Sequence, residues 1–269
     1  MQNIYKKNII LFLFLGIYAC KKVITVDLKN ATPQIIIQGN VTNEAGPYTV
    51  KITKTVAYTS DNIFPPVTGA TVSIKDNTTN TTDALTETLP GIYSTSALQG
   101  VQGHSYTLSV LAEGNQYAAI STMPQLVPLD SITFINEATS NLVNVVVNFQ
   151  DPVGTPNYYQ FMQTSIKYRF FDTLKKIFVF GDRLSDGKYV RRQLLVNEKG
   201  NLANRDTALV EMQCIDKNIF NYFNQLDRIT NPNNNQSSTP ANPTSNINNN
   251  ALGYFSAHTV QRKKAVVKL

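Results

Sequence analysis

Tryptophan is absent from these 269 residues, and cysteine and histidine occur only twice each. His104 and His258 are isolated from one another. A histidine-based metal cluster therefore has too few members, and no ligand spacing points to one. Neither histidine sits where a catalytic set would need it, and no serine lies in a Gly-x-Ser-x-Gly elbow. Both read as structural or surface residues. Ser185 and Lys188 spell Ser-x-x-Lys, but Asp186-Gly187 between them makes a tight turn where penicillin-binding enzymes open a helix. Glycine-rich phosphate loops are missing too. Asp61, Asp76, Asp83, Glu87 and Glu113 fall in expected loops without the dense Asp-x-Asp spacing of a calcium site, and read as solvated charges. The residues thus supply no catalytic group, no metal site and no cofactor site.

Long apolar runs are also missing, with one exception at the start. Lys6 and Lys7 precede Ile9-Ile10-Leu11-Phe12-Leu13-Phe14-Leu15, which ends in Gly16-Ile17-Tyr18-Ala19-Cys20. Positive n-region, apolar h-region and small residues before a cut form the layout of a secretion signal. The run is shorter than the ~20 residues a spanning helix needs, and Lys21-Lys22 end it. Ile17-Tyr18-Ala19-Cys20 resembles the lipobox of bacterial lipoproteins, with Tyr18 bulkier than usual. That resemblance implies cleavage after Ala19 and a diacylglyceryl group on the Cys20 sulfur. Two or more acyl chains give stable anchoring where one does not. The expected organisation is a signal peptide over 1–19 and a lipidated tether over 20–33.

Formal net charge is +6, and two of those charges, Lys6 and Lys7, leave with the signal. Nucleic acid is no partner for an exported chain of this kind. Arg262-Lys263-Lys264 and Lys268 read as a solvated basic tail. With Cys20 lipidated, Cys214 has no disulfide partner. Its alternation with Val210 and Met212 marks it as a small buried hydrophobe.

Charged residues make up only 16% of the chain, and short alternating segments dominate the rest. Strands are expected at 34–41, 48–54, 70–75, 91–95, 104–112 and 116–121, punctuated by Asn, Gly and Pro turns. That density of strands and turns indicates a sandwich or small barrel over 34–125. The second region, 126–269, reads as strands at 131–137, 142–149, 158–171, 176–180, 188–196 and 207–215. Then the period changes to that of a helix. Asp216 is a plausible N-cap, and Ile219, Phe223 and Leu226 share one face of a helix near 216–228. An Asn-rich loop over 231–250 leads to a last strand at 252–260. The fold class expected is mainly β, a sandwich followed by a β-rich domain with one α-helix. The aromatics Tyr158, Tyr159, Phe161, Tyr168, Phe170, Phe171, Phe178, Phe180 and Tyr189 are expected mostly in its core. Asp130-Ser131, Asp172-Thr173 and Asp206-Thr207, each followed by an apolar residue, resemble the short O-glycosylation sites of exported Bacteroidota proteins. Ser131, Thr173 and Thr207 are the candidates.

Four stretches carry a wider resemblance. They are Cys20–Leu28; Gly46–Ile52; Phe64–Ile74 continuing through Pro90–Tyr93 and Gly103–Leu108; and Asn242–Ile247 with Ala251–Phe255. Together they resemble a lipoprotein family of Bacteroidota, domain-of-unknown-function family 4249. The resemblance implies an N-terminal immunoglobulin-like β-sandwich. It also implies an outer-membrane lipoprotein serving as a non-catalytic binding or accessory subunit beside a TonB-dependent transporter. The alternatives are a carboxylate-dependent hydrolase of a surface polymer and a structural or adhesive envelope protein. Lys21-Lys22 stand where surface-displayed lipoproteins of this phylum often carry acids, which leaves the periplasmic and outer faces of the membrane both open.

Overall fold

A computed structural model describes residues 32–57, 60–61, 63–137, 142–165, 177–195, 202–230 and 241–268. The signal, Cys20, Thr173, Tyr168 and Phe170-Phe171 lie outside the described residues. The chain from Pro33 to Leu269 forms one compact unit. No helix among the described residues is long and apolar enough to cross a membrane.

The protein is mainly β. Its first strands are β1 (Ile35–Thr42), β2 (Thr49–Lys54), β3 (Thr71–Asp76), β4 (Thr81–Leu89), β5 (Ile92–Ser94), β6 (Ser105–Ala112) and β7 (Asn115–Thr122). Most alternate strictly: in β6, Tyr106, Leu108, Val110 and Ala112 are buried, while Ser109 and Leu111 face out. A period of two puts every second side chain on one face. These inward residues, with Ile37, Val50, Ile52, Ile74 and Tyr93, form the first core.

The next strands are β8 (Ser131–Glu137), β9 (Leu142–Gln150), β10 (Tyr158–Ser165), β11 (Ile177–Gly181), β12 (Tyr189–Leu194) and β13 (Thr207–Ile215). Helix α1 (Lys217–Thr230) and strand β14 (Leu252–Val266) follow. A three-stranded sheet, β12-β9-β8, covers a second core built on Val145, Val147, Phe149, Tyr159, Phe161, Val210 and Met212. The aromatic cluster is sorted by this packing. Tyr159 and Phe161 are fully buried against Phe149, whereas Tyr189 is half exposed.

Both regions join one sheet of eleven strands, ordered β11-β10-β13-β14-β1-β2-β5-β4-β3-β6-β7. Strand β14 makes the join. Its first half, Leu252–His258, runs parallel to β1, and its second half, Thr259–Val266, runs antiparallel to β13. The close parallel pairing with β1 requires Gly253. Its φ is +94°, and a Cβ there would sit 2.0 Å from the Ile37 carbonyl oxygen.

Three expectations change. The basic residues 262–264 are no tail: they lie in β14, where Arg262 bridges Glu44 and Glu211 and Lys263 donates to the Asp130 carbonyl. Strand β4 goes unseen in the sequence because its inward positions include a carboxylate, Asp83, whose burial is made tolerable by hydrogen bonds. The Asn-rich segment is more than a loop, at least over 241–250. Asn248 exchanges hydrogen bonds with the Ala118 backbone, and Asn249 donates to the Gln116 carbonyl. It thereby covers the edge of β7, which would otherwise present unpaired backbone groups.

Candidate functional site

Helix α1 starts where the sequence places it. The Asp216 carboxylate accepts the N–H groups of Asn218 and Ile219 at 2.8 and 3.0 Å. Its other oxygen receives the Ser121 hydroxyl, whose oxygen in turn accepts the Ala257 N–H at 2.8 Å. One side chain thus fixes the helix to β7 and β14. Ile219 and Phe223 are buried, and Phe220 packs on Tyr158 with ring centroids 4.9 Å apart.

This placement opens a cleft of about 710 Å³ between α1, the end of β11 and two loops. Tyr158 and Phe220 give it an aromatic wall; Arg183, Arg228, Asn224, Asp182 and Asp186 supply polar groups. The loops are 151–157, between β9 and β10, and 182–188, between β11 and β12.

Three carboxylates meet at the floor of the cleft, Asp182 and Asp186 lining it and Asp151 beneath them. Asp151, Asp182 and Asp186 each offer an oxygen, all within 4.8 Å of one another. Each holds a backbone N–H of the opposite loop: Asp151 takes Gly187 at 3.2 Å, Asp182 takes Asn157 at 2.7 Å, and Asp186 takes Gly154 at 2.8 Å. Asp151 also accepts the Tyr159 hydroxyl. Burial raises the Asp151 pKa above the usual carboxylate value, and the nearby charges of Asp182 and Asp186 add to the rise against the hydrogen bonds from Tyr159 and Gly187. Burial likewise pushes the Tyr159 phenol up, reinforced by Asp151. The geometry is that of a clasp between loops. A hard cation such as calcium takes six to eight oxygens, so these three would need further donors to hold one.

The acids prominent in the sequence lie elsewhere. Asp76 and Asp83 are buried rather than solvated. Asp76 pairs with His104 Nδ1 at 2.8 Å and accepts the Thr78 and Thr79 amides, closing the β3–β4 turn. Asp83 gathers the Ser96, Ala97 and Leu98 amides. Burial pulls both pKa values up, but the hydrogen bonds outweigh it and hold both below the usual range. Glu87 accepts the Gly69 and Gly91 amides, and Glu113 pairs with Lys54. Asp61 is exposed. The signal that could have found the clasp was Asp151-Pro152 and Asp186-Gly187, two turn-forming acids at loops flanking paired strands.

The remaining sites are dispersed. His258 is buried beside Ser256, 2.9 Å away, and burial lowers its pKa to about 4. Cys214 is a buried free thiol whose pKa burial raises, with the Val127 N–H directed at its sulfur. Ser131 and Thr207 are half-buried first residues of β8 and β13. Comparison with curated proteins gives no match. The profile of the family described as "Domain of unknown function (DUF4249)" matches residues 21–264, most of the chain. The protein belongs to the DUF4249 family.

Proposed function

We propose that this chain is a lipoprotein of the outer membrane in a member of the Bacteroidota, held by diacylglycerol on Cys20. Its β-rich body binds rather than catalyses, as an accessory subunit beside a TonB-dependent transporter. The observation that favours binding over catalysis is the clasp. The acids gathered at the cleft are engaged with backbone amides of the facing loop, and the surface they support carries two aromatic rings and two arginines. Aromatic and Arg side chains are the ones enriched in binding surfaces. Before β14, Asn248 and Asn249 bond to β7 and Thr244 bonds to Gln225 of α1, which is not among the residues lining the cleft.

The test is a gentle-detergent isolation of the tagged, lipidated protein from its native envelope, with mass spectrometry of the recovered proteins. A TonB-dependent receptor in stoichiometric amount supports the accessory role. Recovery of the lipidated protein alone counts against a stable complex.

A second reading, a hydrolase of a surface polymer, draws on Asp182 and Asp186, which line the cleft, and on the raised pKa of Asp151 beneath them. It requires that polymer cleavage by the purified chain be lost in Asp182→Asn and Asp186→Asn.

A further inference from the structure

The end of the sandwich at which the chain enters the described body carries its own apolar surface. Gln34 is the neighbour of Thr55 there: the Gln34 N–H donates to Thr55 Oγ1 and the Thr55 N–H to the Gln34 carbonyl, both at 2.9 Å. One residue earlier in β2, the Lys54 N–H donates to the Pro65 carbonyl at 2.9 Å. Gln34 and Pro65 therefore flank β2 on its two sides. Adjacent strands lie ~4.8 Å apart, so the chain entry and the Phe64-Pro65 segment are separated by about 10 Å.

Phe64-Pro65-Pro66 in turn touches the β4–β5 hairpin. Pro66 pairs with Thr53, and it lies so close to Gly91 that a Cβ there would come within 2.9 Å of the proline ring. Leu89 stands two residues before Gly91 at the hairpin tip. Ile63, Phe64 and Leu89 are 75%, 46% and 66% exposed, although nothing in the core requires them outside. Lys54, whose backbone N–H meets the Pro65 carbonyl, has its ammonium paired with Glu113 at 2.5 Å, so that side chain brings no unpaired charge to the patch.

We infer that Ile63, Phe64 and Leu89 form a face that seats the sandwich on the lipid bilayer. The inference rests on the lipid-anchor reading, which supplies the occupant. From Cys20 to Pro33 the chain can extend at most ~45 Å. An anchored body is thus held permanently at high local concentration against the membrane, where even a weak apolar contact is populated. Lys21, Lys22 and Lys29 on that segment, against a single acid at Asp27, add attraction to anionic headgroups. Exposed apolar side chains together with a basic segment in the same chain are the composition of interfacial rather than spanning contacts.

The absence of tryptophan makes the test direct. Phe64→Trp and, far from the patch, Leu184→Trp each introduce a single emitter. The full chain, its Cys20 diacylglyceryl group verified by intact mass, is reconstituted in vesicles of phosphatidylethanolamine and phosphatidylglycerol with brominated acyl chains. Emission from the position-64 probe is expected to be blue-shifted and quenched at least about twofold more than that from position 184. Adding Ile63→Asp and Leu89→Asp should abolish the difference while leaving the circular dichroism spectrum unchanged. Equal quenching at both positions overturns the inference, as does protection of position 64 that requires a copurifying protein. If the mass shows Cys20 unmodified, the anchor reading fails by itself. The same probes on that unlipidated chain at saturating lipid then decide the face: quenching at 64 alone retains it, and no quenching overturns it.

Discussion

Asn246 sets its side-chain amide against the backbone of Phe255, accepting its N–H at 3.0 Å and donating to its carbonyl at 2.7 Å. A side chain here does the work of a missing strand. Phe255 lies in the half of β14 that β1 flanks on one side only. Further along, Asn43 does the same for Val260, accepting its N–H at 2.6 Å. Buried backbone groups without partners are costly, so each amide secures a stretch of β14 that the ladders leave open.

Asn246→Ala removes both bonds at a position where Phe255 is fully buried. A loss of about 1–3 kcal/mol is expected in urea denaturation. Asn115→Ala, which gives up one exposed bond to the Glu113 carbonyl, should cost no more than about 0.5 kcal/mol. Equal losses would show that Asn246 is not acting as a strand substitute.

These asparagines also mark the limit of what the sequence discloses. Strand identity is legible wherever inward positions are apolar, as in β3, β6 and β13, because burial and alternation coincide there. The cap of α1 is legible because Asp216 acts on residues within three positions of itself. Asn246 and Asn248 act on residues 9 and 130 positions away, and low complexity conceals them. The clasp of Asp151, Asp182 and Asp186 is hidden for the same reason: its members are joined by strand pairing between β10 and β11, not by spacing. Lipidation of Cys20 lies outside the described residues and stays with the sequence motif alone.

Gly253→Ala should be far more damaging than a helix or surface substitution. A methyl group 2.0 Å from the Ile37 oxygen cannot be accommodated without separating β14 from β1, and φ of +94° is strained for alanine. The expected cost exceeds about 3 kcal/mol, read as a fall in the unfolding midpoint or loss of soluble protein. Gly114→Ala makes a useful control, since its turn at φ +78° is equally strained but has no atom within 4 Å.

Stability should decline on acidification in two windows. Burial lowers the folded pKa of His258 to about 4 from 6.5, so between those values the unfolded chain binds a proton that the folded one refuses. Stability then rises with pH across that window, by on the order of 3 kcal/mol in all. Asp76 and Asp83, with pKa values held down in the fold, contribute stability present above pH 3.8 and lost below it. Asp151 acts in the opposite sense, since its raised pKa favours the protonated form. His258→Gln should flatten the upper window and leave the lower one. An unchanged slope between pH 4 and 6.5 in denaturant titrations would refute the assignment.

The clasp predicts unequal effects of its acids. Asp151→Ala strands the buried Tyr159 hydroxyl and frees the Gly187 amide, for an expected loss of about 2–4 kcal/mol. Asp186→Ala gives up one exposed contact with Gly154 and should change stability by less than about 1 kcal/mol. Hydrogen exchange checks the mechanism: in Asp186→Ala the Gly154 amide should exchange faster with the core unaffected.

Because β14 is shared, the timing of folding is constrained. Ile36 pairs with Leu252 and Ile37 with Gly253, contacts spanning most of the chain. Such long-range pairing is slow to form. In a chain made from its N-terminus, β1 emerges early and waits for a neighbour that emerges near the end. Until then its edge, and the apolar interior of the first sandwich, stay open to chaperones, proteases and other chains. The join that makes one body of two regions also leaves the nascent protein incomplete until its last strand arrives.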